Sequence, residues 1–257
     1  MAENQYGFPT EVLSLPSKGL LYPEDSPLRS GTIDVKYMTA KEEDILTSQN
    51  LITQGVVIER LLQSVIATPG VKLDDLLIGD KNALMVGTRV LGYGQNYDVM
   101  IMDPETGEEV ETVIDLSKLD HKKIDESLLS NGNNFEYELP NSKRKIGFKI
   151  LTHKDEMEIN EILKSLEKAE KITGVSSEVT TRLKYQITSI DGNTEQKTID
   201  NFVDNEFLAM DAREYRKYVQ TITPDLDLTF EYTSGNGNTT KVGVPLGIDF
   251  FWPAAGE

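Results

Sequence analysis

Almost no loop can be fitted between Lys36 and Gly94. Thr39, followed three residues later by Glu42, has the spacing of a capping box, in which a helix start satisfies its own free backbone donors. Ile58, Leu61, Leu62, Val65 and Ile66 recur at i, i+3, i+4, i+7 and i+8, the apolar stripe of an amphipathic helix. Thr68-Pro69-Gly70 ends it, because proline brings no amide donor and glycine leaves the helical well cheaply. A further helix opens at Gly79-Asp80 with Asp80 read as its N-cap. Ala83, Leu84, Gly87, Val90 and Leu91 form its apolar face, and Gly92-Tyr93-Gly94 closes it. Gly87 within that face costs about 1 kcal/mol relative to alanine, a cost that close approach of a neighbouring backbone would offset. No catalytic residue type is concentrated here, so the stretch reads as a scaffold that presents surfaces.

Ahead of it, residues 1–31 carry Pro9, Pro16, Pro23 and Pro27 with Gly7, Gly19 and Gly31, which forbids a continuous helix or a central strand. Glu11 to Leu15 alternates weakly, as an edge strand does. The apolar residues Phe8, Leu13, Leu15, Leu20, Leu21 and Tyr22 argue for an ordered arm, laid on its own body or on a partner. Leu15, Leu20, Leu21 and Tyr22 are therefore candidates for an interface. Ile33, Val35 and Tyr37 alternate with polar residues as a strand.

Beyond the helical stretch, Tyr97, Val99 and Ile101, then Val110, Thr112 and Ile114, alternate about Asp103-Pro104-Glu105-Thr106-Gly107, which predicts a hairpin. Leu116 to Asn134 is polar and irregular, with a short helix at Lys122 to Leu129. Phe135–Leu139 and Lys145–Leu151 read as a second strand pair. Ile159, Ile162, Leu163 and Leu166 mark an exposed helix to about Lys171. Val179, Leu183, Ile187 and Ile190 fit a helix closed by Asp191-Gly192, although Leu183, Tyr185 and Ile187 would also fit a strand. Ile199, Phe202, Val203 and Phe207 mark another helix. Asp211 with Glu214 repeats the capping-box spacing before Tyr215, Tyr218, Val219 and Ile222. A last hairpin turns at Ser234–Asn238, and the chain closes on Phe250-Phe251-Trp252-Pro253. Those three rings are interface candidates too. Packing within the chain is the commoner fate, against the 199–222 region with its Phe202, Phe207, Tyr215 and Tyr218.

The order of elements predicts an α+β fold: helical blocks, antiparallel β-hairpins and an extended N-terminal arm. Three segments are expected: the arm 1–31, an α+β domain 32–152, and a helical region 153–257 with the terminal hairpin and aromatic tail. No repeat at a fixed period is evident.

The 257 residues hold 26 basic and 43 acidic side chains, a net charge of −17. That disfavours non-specific binding to nucleic acid or an anionic membrane. No apolar run approaches the ~20 residues of a membrane span, and no signal peptide is visible at Met1-Ala2-Glu3-Asn4-Gln5. Without cysteine there is no disulfide, thiolate site or thiol nucleophile. His121 and His153, each followed by Lys, sit in polar segments and read as solvated histidines before they read as bases or ligands. Asp191-Gly192-Asn193-Thr194-Glu195 is too short and misordered for a calcium loop. Asp74-Asp75, Glu108-Glu109-Glu111 and Asp225/Asp227 cluster without ligand spacing. Lys143-Arg144-Lys145 is a lone basic triplet. No catalytic, cofactor or metal residue is assigned, and a carboxylate-metal hydrolase has no motif behind it.

Several runs together resemble a known family: Leu15-Pro16-Ser17-Lys18-Gly19-Leu20-Leu21-Tyr22-Pro23, Val35 to Leu46, Leu76 to Ala83, Phe148 to Thr152, and Phe251-Trp252-Pro253. They are similar to the baseplate hub proteins of T-even-type contractile-tailed phages. The resemblance spans nearly the whole chain and is most specific in its first two runs. It implies a late structural or assembly protein of the baseplate hub, whose partners are other tail proteins. Its place is then the virion tail baseplate, and the host cytoplasm during assembly. A soluble assembly chaperone absent from the mature particle is the alternative. Some similar proteins carry Cys pairs near the first hairpin, but here that turn is Met102 to Gly107, without thiols.

Overall fold

The computed structural model describes residues 7–251. Strand β1 (Thr10–Ser14) pairs antiparallel with β2 (Thr32–Lys36), Leu13 facing Ile33. Helices α1 (Ala40–Leu46), α2 (Gln49–Gln54) and α3 (Val57–Val65) follow, then a 3-10 turn at Leu73–Asp75 and α4 (Ile78–Tyr93). Next comes the hairpin β3 (Asn96–Met102) and β4 (Glu109–Asp115). Strands β5 (Phe135–Glu138) and β6 (Lys145–Phe148) precede α5 (His153–Thr173), α6 (Glu178–Gln186) and β7 (Ile187–Ile190). Helix α7 (Gln196–Asn201) runs into a π-helical turn at Phe202–Glu206, followed by α8 (Ala209–Ile222) and the hairpin β8 (Thr229–Thr233) and β9 (Thr239–Gly243). The fold is α+β, and every strand pairing described is antiparallel.

The periodic residues of α3 go where their spacing sends them, with Leu61, Leu62 and Val65 fully buried. Ile66 leaves the helix and bridges Val35 of β2. Residues 178–190 divide otherwise than either reading had it: Leu183 and Tyr185 are helical, while Ile187 and Ile190 belong to a strand. The helix stops at Gln186, and the β-branched run that follows pairs with β6, Ile187 facing Phe148 and Ile190 facing Ile146.

Helix α4 starts three residues earlier than Asp80 as N-cap would place it. Leu77 is the N-cap, and Asp80 is the third helical residue, its side chain turned inward. Gly79 is where backbone comes close: a Cβ there would lie 1.9 Å from the Pro224 carbonyl oxygen. At Gly87 the neighbour is a side chain instead, with Leu13 Cδ1 2.3 Å from where a Cβ would be. Asp211 is likewise the third residue of α8, behind Leu208 as N-cap, so it too is no cap.

The arm lies on the chain's own body. Leu15, Leu21, Tyr22 and Leu28 are buried, and Arg29 Nη1 donates to the Leu20 carbonyl at 2.8 Å. The sheet β5–β6–β7 joins strands from both sides of residue 152, and one contiguous apolar core includes Leu15, Leu84, Phe148, Tyr215 and Phe251. The segments 1–31, 32–152 and 153–257 therefore share a core. Of the C-terminal rings, Phe250 finds its ring partners outside residues 199–222, in Tyr97 and Phe251. Phe250 meets Tyr97 edge to face at 5.0 Å, and Arg89 Nε donates to its carbonyl at 2.9 Å, so the tail closes over α4 and β3. Tyr215 and Tyr218 have other neighbours, Phe148 and Tyr137, at 5.2 and 4.5 Å. Trp252 lies outside the described residues.

Candidate protein-contact site

His153 opens α5 and is buried, with Nδ1 3.4 Å from Lys81 Nζ. Burial first, then the Lys81 charge, push its pKa down, which favours the neutral ring. A helix-start histidine was expected, and His153 is one, but its burial corrects the expectation that it is solvated. His121 is half-buried in a bridge to Leu226. Arg144 of the basic triplet pairs with Asp191 and, at 3.0 Å, with Glu206. Among the described residues no group of three or more His, Asp or Glu is placed to hold a metal ion.

Carboxylates turned inward tie distant segments together. Asp80 accepts the Ser17 N–H at 2.9 Å and the Ser17 and Tyr22 hydroxyls at 2.6 Å each. The Tyr22 oxygen in turn accepts the Leu77 N–H at 2.9 Å. Burial pushes the Asp80 carboxyl up, against the pull of these hydrogen bonds. Asp211 accepts the Asn141 N–H and side-chain amide at 2.8 Å each and the Ser142 N–H at 2.9 Å. Burial alone would raise its pKa, but the hydrogen bonds from Asn141 and Ser142 prevail and hold it at about 2. Asp103 accepts the Glu105 N–H at 2.8 Å within its own turn. Its other oxygen takes the Tyr232 and Ser234 hydroxyls at 3.1 and 2.9 Å, joining the tips of the two long hairpins.

Of the interface candidates, Leu15, Leu21, Tyr22, Phe250 and Phe251 are thus buried within the chain, and the rings and aliphatic groups they offer are already covered. Leu20 is half-buried and lines an open groove of about 760 Å³ with Lys18, His121 and Lys123. Exposed apolar residues occur at several places, Val12, Val175 and Met210 among them, and three share one face of β3–β4. On β3–β4, Tyr97, Ile101 and Ile114 face inward and are buried, while Met100, Met102 and Val113 point outward and are each more than half exposed. Met100 lies diagonal to Val113, so the three form a stripe along the ribbon. Asp98, Glu109 and Glu111 share that face. The sequence carried a signal for it. Val99-Met100-Ile101-Met102 is an uninterrupted apolar run, the mark of a strand covered on both faces, yet this hairpin is a two-stranded sheet.

Polar groups turned inward as ties, joining segments far apart in the chain, belong to a protein built to hold a shape. The family agrees with that class: residues 14–252 match the model described as T4 bacteriophage base plate protein, and the chain belongs to this family. It is a phage baseplate protein, and membership suggests a structural, non-enzymatic role in contact with other baseplate proteins. No curated protein and no solved structure matches the chain. No helix among the described residues is long and apolar enough to cross a membrane.

Proposed function

We propose that the protein is a structural or assembly component of the hub of the tail baseplate, acting by protein–protein contact through the outer face of β3–β4. The exposed stripe Met100, Met102 and Val113 on a ribbon with two free edges supports this reading. Methionine suits a contact face because its unbranched, polarisable side chain adapts to a partner. The flanking Asp98, Glu109 and Glu111 select a partner that brings lysine or arginine beside its apolar groups.

The test replaces Met100, Met102 and Val113 by Thr in a phage that depends on the plasmid-borne gene. Threonine keeps the strand propensity. The variant is expected to retain the thermal midpoint of the parent while tails bearing baseplates disappear from electron micrographs. Normal numbers of such tails would sink the proposal. Peptide mass spectrometry of purified particles separates a resident hub subunit from a chaperone that leaves after assembly.

A further inference from the structure

Two stretches of the chain build the same hydrogen-bonded device. At the end of β2, Lys36 Nζ donates to Glu42 at 2.7 Å, and the Thr39 N–H and hydroxyl donate to the other oxygen of the same carboxylate at 2.9 and 2.7 Å. After β6, Lys149 Nζ donates to Asp155 at 2.7 Å, and the Thr152 N–H and hydroxyl donate to its other oxygen at 2.9 and 3.0 Å. The spacing is identical, Lys36/Thr39/Lys41/Glu42 against Lys149/Thr152/Lys154/Asp155, and each carboxylate is the third residue of its helix.

The likeness extends in both directions. Each device follows an antiparallel strand pair whose connection opens with Leu-Pro and soon carries Ser-Lys: Leu15-Pro16-Ser17-Lys18, from which the chain runs on to Gly31 before β2, and Leu139-Pro140-Asn141-Ser142-Lys143. Lys18 and Lys143 both hold left-handed backbone, φ 50° and 58°. Each hairpin then gains a third antiparallel neighbour from chain leaving a helix: Ile66 after α3, and β7 after α6. A helix follows in each whose third residue is a buried aspartate, and that aspartate takes the serine N–H of the Leu-Pro turn: Asp80 from Ser17, Asp211 from Ser142. Each series closes with a long antiparallel hairpin, β3–β4 and β8–β9.

Helix capping recurs in unrelated proteins and explains the local device on its own. It does not explain the same pieces in the same order, least of all two aspartates that reach back 63 and 69 residues to matching turns. We propose that the chain is a tandem duplication, residues 10–115 and 135–243 being two copies of one folding unit. Spacers hide it from a search for a fixed period. Lys18 to Lys36 is a step of 18 residues, whereas Lys143 to Lys149 is a step of 6.

The copies keep their buried ties and differ on the outer face of the closing hairpin. The first copy shows Met100, Met102 and Val113 there, and the second shows exposed Glu231, Thr233 and Lys241. The unit therefore folds without an apolar stripe, and the first copy's stripe serves something outside the chain. This last step rests on the contact reading above, and the duplication does not.

Two measurements test the duplication. A profile built from the first halves of family relatives is expected to align with their second halves so that Ser17, Lys36, Thr39, Glu42 and Asp80 meet Ser142, Lys149, Thr152, Asp155 and Asp211. An alignment out of that register overturns it. In a crystal structure of the full chain, one rotation and translation is expected to carry β1–β2, α4 and β3–β4 together onto β5–β6, α8 and β8–β9. A different transformation for each pair would mean convergent capping, and the proposal falls. Neither measurement involves a partner, so normal baseplates with the threonine variant would remove the contact reading and leave the duplication standing.

Discussion

At the scale of single residues, Gly79 and Gly87 separate two reasons for a glycine in a helix. Replacing Gly79 by Ala gains about 1 kcal/mol of helix propensity but drives a methyl into the Pro224 carbonyl oxygen, which is backbone and has nowhere to go. Overpacking of that kind costs about 1–3 kcal/mol, so chemical denaturation is expected to show a net loss. Gly87→Ala meets only the end of Leu13, which can rotate away, and is expected to lose less. Asp211 gives a prediction in pH. Its folded pKa is about 2 against an ordinary 3.8, a depressed value, so its stabilisation is complete above 3.8 and is lost as pH falls through about 2. Asp211→Asn turns an amide donor toward donors already there and is expected to cost about 1–3 kcal/mol at neutral pH. The gap between parent and variant should close between about pH 4 and 2; a gap unchanged at pH 2 would contradict this. The sequence carries half of this logic. Thr39 and Glu42 sit three apart, and their bond is legible from that spacing alone. Asp80 and Asp211 look like caps by the same local rule, because their real partners are 63 and 69 residues away.

Elements were legible where one period dominated, as in α3, the exposed α5 and both long hairpins. The 178–190 segment was not, because its residues satisfy helical and extended spacing at once and only the free edge of β6 decides where the helix ends. The destination of the C-terminal rings was hidden for a similar reason. Aromatic content pointed to residues 199–222, whereas the Phe250 ring meets Tyr97 on β3 and its backbone carbonyl accepts from Arg89 on α4. That arginine is buried and fastens three elements, donating to the carbonyls of Phe250, Gly94 and Asn96 at 2.9, 3.0 and 3.2 Å. Lysine carries the same charge but lacks the planar fork. Arg89→Lys is expected to leave carbonyls unpaired, at about 1–3 kcal/mol, and to speed amide exchange in both α4's last turn and β3. Protection unchanged in both would show that the fastening lies elsewhere.

For the molecule as a whole, the segments read from the sequence are a statement about chain order, and the core ignores them. β7 completes a sheet begun before residue 152, and the His153 N–H donates to the Leu76 carbonyl at 2.8 Å. Heating is therefore expected to give one calorimetric transition whose van't Hoff and calorimetric enthalpies agree. Two resolved transitions would show that 32–152 and 153–257 melt as separate domains. Nothing in a linear reading reveals such sharing, because strand pairing across a boundary depends on which edges the folded helices leave open.

The tie at Asp103 turns the first hairpin into a beam held at both ends. Its root is fixed where Tyr97 meets Phe250, and its tip where Asp103 grips Tyr232 and Ser234. A ribbon anchored only at its root would sway under a sideways load and take its methionines with it. One anchored twice deflects far less, and it divides the load between α4 and the second hairpin. A pull on the stripe thus reaches α4 and β8–β9 at once.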